Sequence, residues 1–181
     1  MSAHLVGLSG TSCSVVADAL VSGHGFRAHD VAAPVRQALT LLDPLLPSGR
    51  PLSVLVGEQG WAGAVVDRLD GPEVSRLMMA MRRDVADRVL GATAWMSRVS
   101  ADVAAAADLV GGSPVVLVGV ELACERSWVL EHGGQLWHVG DGPADERASV
   151  TIGVDCSPAA LGRRVERELR RATPHICTTS A

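Results

Sequence analysis

The run Val115-Val-Leu-Val-Gly-Val120 constrains the fold of this chain more than any other stretch. An unbroken apolar run of strand length suits a strand covered on both faces, which is the situation in a parallel sheet sandwiched between helices. Residues 3–9 read as another buried strand, as do Phe26 to Val31, Gln135 to Val139 and Ser149 to Val154. Helical spacing separates them. Val15 to Val21 is one such segment, ended by Gly23 and Gly25; the next has Pro34 in its first turn and Val35, Ala38, Leu39 and Leu42 on one face. Leu52 to Val66 allows a short helix after a turn at Gly57 to Gly60. Pro72-Glu73 opens a helix carrying Val74, Leu77, Met78, Met81, Val85, Val89 and Leu90, with its methionines read as core, and an alanine-rich helix covers Thr93 to Leu109. Leu122 to His132 is helical, and Ser157 with Pro158 caps a last helix to about Ala172. This alternation predicts an α/β three-layer fold, a mainly parallel central sheet flanked by helices, in one domain over residues 1–172 with a tail at 173–181.

Composition narrows the function. A chain of 181 residues, 48% hydrophobic, can bury a full core, and with one Phe and no Tyr that core must be mostly aliphatic. A net charge of −4 gives no general attraction to nucleic acid or anionic membrane. The run Arg163, Arg164, Arg167, Arg170 and Arg171 alternates with Glu166 and Glu168 and reads as a solvated helix face. Cys13, Cys124, Cys156 and Cys177 lie far apart, as reduced thiols of a cytoplasmic protein do, and no stretch reads as a signal peptide or membrane span. Abundant Ala, Val, Gly and Arg with no lysine suggests a GC-rich coding genome, such as that of an actinobacterium or its phages.

The chemistry-bearing stretch is Leu5-Val-Gly-Leu-Ser-Gly-Thr-Ser-Cys-Ser14, a strand running through a small-residue turn into the helix of Val15 to Leu20. Turns of this kind cradle phosphates, because glycines let backbone N–H groups approach and a helix N-terminus favours negative charge. A complete phosphate loop reads G-x-x-x-x-G-K-[ST]. After Gly10 this chain offers Thr11, Ser12, Cys13 and Ser14, with neither a second glycine nor a lysine. Cys13 at a helix start could be a low-pKa nucleophile, but a cysteine phosphatase loop would need an arginine where Ala19 stands. Ser9, Ser12 and Ser14 form no nucleophile elbow. His4, His24, His29, His132, His138 and His175 show no metal-ligand spacing; His175 and Cys177 belong to the tail. Glu121 and Glu125 read as surface carboxylates, with relics of a substrate pocket as the alternative.

Several segments, in order, carry a resemblance: Val6-Gly-Leu-Ser-Gly10 with Val16-Ala-Asp18 and Leu20; Gly25-Phe26; Val31-Ala-Ala-Pro-Val-Arg-Gln-Ala-Leu39; Gly60-Trp61; Arg76 to Gly91 with Trp95; Gly119-Val-Glu-Leu-Ala-Cys-Glu125; and His132-Gly-Gly134. Together they resemble the phage-type deoxynucleoside monophosphate kinases of the P-loop kinase superfamily over most of the chain. The resemblance implies a P-loop-kinase-like fold and two remnant sites: Gly7, Gly10, Thr11, Ser12 and Ser14 for the nucleotide, and Arg36, Arg82, Arg83, Arg88 and Glu121 for the substrate. It departs from the family where phosphoryl transfer is performed. The loop lysine and hydroxyl are deleted, Ala33 replaces an aspartate, Arg82-Arg83-Asp84 replaces G-T-E, and Gly119 and Glu121 replace an aspartate and an arginine. Phosphoryl transfer rests on positioning and on neutralising charge at the phosphates. The expectation is therefore a degenerate, non-catalytic relative without cofactor, serving as a binding or structural module. Its partner would be a protein or a second copy, with a phage or prophage source and a virion, assembly or regulatory role implied by the family. The alternative is a divergent active kinase using ATP and magnesium, with Arg36, Arg82, Arg83 or Arg88 taking over the lysine's task. Nucleotide binding without reaction stays open.

Overall fold

The computed structural model describes residues 5–10, 12–89, 91–108, 113–141, 146–153 and 157–172. The chain divides into two compact units, Met1–Asp30 with Asp102–Ala181, and Val31–Ala101.

The first unit holds the sheet. Its strands are β1 (Leu5–Gly10), β2 (Arg27–Asp30), β3 (Val115–Val118), β4 (Gln135–Val139) and β5 (Val150–Ile152), in the order β2-β3-β1-β4-β5 and all parallel. The expected three-layer α/β class is what the molecule has. β1 is central, paired with β3 from Leu5 to Leu8 and with β4 from Val6 to Gly10. Parallel strands need crossovers, and helices supply them: α1 (Cys13–His24) between β1 and β2, and α6 (Ala123–Glu131) between β3 and β4. The last helix, α7 (Pro158–Ala172), follows β5.

Side-chain alternation along β1 sorts the two faces. Val6 and Leu8 join Val16, Ala17 and Leu20 of α1, Trp137 and Val139 of β4, and Leu161 and Val165 of α7 in one buried cluster. Each such leucine or valine, fully withdrawn from water, contributes about 1.5–3 kcal/mol. On the opposite face Gly7 packs under α6, where an added methyl would meet Leu136, Val129 and Val120 at 3.1–3.2 Å.

The second unit is helical. It contains α2 (Ala33–Leu42), α3 (Leu52–Val66), α4 (Gly71–Ala80) and a π-helical turn run, Met81–Val89. The helix α5 (Ala92–Asp108) begins in this unit. Three expectations change here. Leu42 was expected on the buried face of α2, but it is 65% exposed while Val35 and Leu39 are buried. The segment 52–66 is helical throughout except at Gly60, whose φ of 70° and ψ of 173° break it in two; only glycine adopts that pair cheaply. The helix opened by Pro72 does not keep α geometry to residue 90. Beyond Ala80 its winding widens to the π form, which period-3.6 spacing does not describe, and Val89 is exposed.

A buried carboxylate organises the loop between α2 and α3. Asp70 is fully buried and accepts the backbone N–H of Ser48 at 2.9 Å, the Ser48 hydroxyl at 2.7 Å and the Arg50 guanidinium at 3.0 Å. Burial alone would raise its pKa, but the Ser48 and Arg50 donors hold it below the ordinary carboxylate value. The expectations placed on His4, Leu90, Leu109, Val154, Cys156 and the tail 173–181, and on the side chain of Val85, fall outside the described residues.

Candidate functional site

Ligands of open parallel sheets bind beyond the carboxyl ends of the strands. In this molecule that end of β1 is Gly10, followed by the turn into α1. Gly10 has a φ of +103°, and a Cβ there would be driven into the Val139 carbonyl oxygen of β4. The close approach of two strands, rather than of a phosphate, is what requires glycine here. Gly7, the other glycine of the expected loop, lies in the strand interior.

The turn itself is short. Thr11 lies outside the described residues, and Ser12 already precedes α1, with no side-chain capping bond. The Cys13 thiol turns back under the turn and donates to the Gly10 carbonyl at 3.2 Å. The Val15 N–H is engaged by the Ser12 carbonyl at 3.2 Å, and Ser14 is exposed on the first turn. Burial pushes the thiol up to about 11; the Gly119 N–H opposes this and the negative charge of Glu121 adds to it. A reactive thiolate at Cys13 is therefore overturned: desolvation outweighs the helix N-terminus.

On the α6 face of the same strand end, Ser9 and His138 stand opposite one another in the β1–β4 register. The Ser9 hydroxyl lies 3.4 Å from His138 Nδ1 and 3.5 Å from the Trp137 carbonyl. His138 is buried, and its Nε2 has no hydrogen-bond partner among the described residues. Nearby in sequence to the end of β3, Glu125 corrects the expectation of a surface carboxylate. It is fully buried, and one oxygen accepts the N–H groups of Glu121 and Leu122, both at 2.9 Å. This is the reciprocal half of a capping box; Leu122 has no side-chain acceptor for the other half. Glu121 is exposed, as expected. A Glu three residues into a helix is the signal that could have placed Glu125. Nothing local marks His138.

The expected substrate arginines lie in the second unit and do not behave alike. Arg82 is buried and Arg36 half-buried. Burial, and then the neighbouring charge of Arg82, lower the pKa of Arg36, so two guanidinium groups lie close together there. Arg83 is exposed. Arg88 is exposed too and pairs with Asp84 one turn earlier at 3.2 Å. No group of three or more metal-binding side chains occurs among the described residues, and none of their helices is long and apolar enough to cross a membrane.

No protein-family model matches the chain, and no curated protein matches it. The solved structures it is similar to include three kinases. These are a shikimate kinase from Aquifex aeolicus (10% identity, 92% of this chain and 96% of that one, TM-score 0.42) and a dephospho-CoA kinase from Campylobacter jejuni (9%, 93% and 96%, 0.46). The third is a sugar kinase from Janibacter sp. (13%, 96% and 99%, 0.43). The likeness is one of layered architecture, and no residue role is transferred from these proteins to this chain.

Proposed function

We propose that the chain is a degenerate relative of the deoxynucleoside monophosphate kinases that transfers no phosphate and acts as a binding or structural module for a protein partner. A phage or prophage source, with a virion, assembly or regulatory role, accords with the family it resembles. The observation that carries the reading is the turn after β1: it holds no lysine, the Cys13 thiol is buried and donates to the Gly10 carbonyl, and the Val15 N–H is engaged by the Ser12 carbonyl. A γ-phosphate and its magnesium would find no lysine at this turn, and electrostatic stabilisation of that charge is most of phosphoryl-transfer catalysis.

Support for a protein partner comes from the second unit. Leu41, Leu42 and Leu45 are exposed at the end of α2 and just beyond it. Asp43 ties this segment to the start of α3 by accepting the N–H and hydroxyl of Ser53 at 2.7 and 2.9 Å, which brings exposed Val54 alongside. An apolar patch of this kind suits an interface. Incubation with ATP, magnesium and each deoxynucleoside monophosphate should yield no diphosphate. Turnover that Arg36→Ala or Arg82→Ala abolishes would establish the divergent active kinase instead.

A further inference from the structure

We draw no further inference here: the strongest candidate, the Ser9–His138 pair on the α6 face at the carboxyl ends of β1 and β4, belongs to the candidate site already described, and nothing in the structure shows what the buried His138 Nε2 would meet.

Discussion

The thiol of Cys13 donates to the carbonyl oxygen of Gly10 at 3.2 Å, inside the turn that joins β1 to α1. The contact closes the turn on itself. The side chain is buried with Val6, Leu8 and Val16 in the core cluster, and the Val15 N–H at the start of α1 is engaged by the Ser12 carbonyl.

Alkylation kinetics follow from that burial. With its pKa pushed up to about 11, Cys13 should react with iodoacetamide far more slowly at neutral pH than half-buried Cys124, and its rate should climb only towards pH 11. Peptide mass spectrometry reads both sites. The raised folded pKa also gives a stability sign. The unfolded thiol titrates near its ordinary value of 9.0, so stability is full below pH 9 and is lost as pH rises through the folded value. Fast labelling of Cys13 at neutral pH would contradict the closed turn.

Gly10 and Gly57 make a contrasting pair. Gly10→Ala forces a methyl into the Val139 carbonyl at a positive φ, and should cost on the order of 3–5 kcal/mol in urea unfolding. Gly57 is helical with nothing within 4 Å of an added Cβ, so Gly57→Ala should stabilise by roughly 0.5–1 kcal/mol. A harmless Gly10→Ala would contradict the close approach of β1 and β4 at this position.

Asp70 should anchor the second unit. Asp70→Ala removes the acceptor of three hydrogen bonds around Ser48 and Arg50 and should lower the melting temperature by roughly 5–10 °C. Because its folded pKa is depressed below 3.8, its contribution is present above that value and lost as pH falls through the folded one. The wild-type and variant melts should therefore converge in acid, and a constant gap down to pH 2 would refute this role.

His138 carries a buried nitrogen without a partner among the described residues, and its contact to Ser9 is long. Leaving a buried polar group unsatisfied is costly, whereas replacing both members of a weak pair by apolar groups is close to neutral. The double variant Ser9→Ala with His138→Leu should stay within about 1 kcal/mol of wild type or exceed it. A loss well beyond that, by denaturant titration, would show that the pair is fully bonded in solution.

The parts of the fold that local periodicity encodes were legible. Val115 to Val118 and Gln135 to Val139 are strands because nothing but apolar packing on both faces suits them, and Pro34, Pro72 and Ser157 mark helix starts by local capping chemistry. What depends on distant partners was not. Ser9 and His138 meet across 129 positions, and Asp70 reaches back to Ser48 across the whole of α3. The exposure of Leu42 and Val89 follows from where α2 ends and from a change of helical winding that period-3.6 spacing does not encode. The missing lysine was visible at once; that the Cys13 thiol is buried and bonded back to Gly10 needed the backbone path of Gly10 to Cys13.

The most direct test of the central claim is isothermal titration of the folded chain with ATP in the presence and absence of magnesium. A turn closed by Cys13 predicts no saturable heat at millimolar nucleotide in either condition. Saturable binding that requires magnesium and is lost in Arg36→Ala would contradict it.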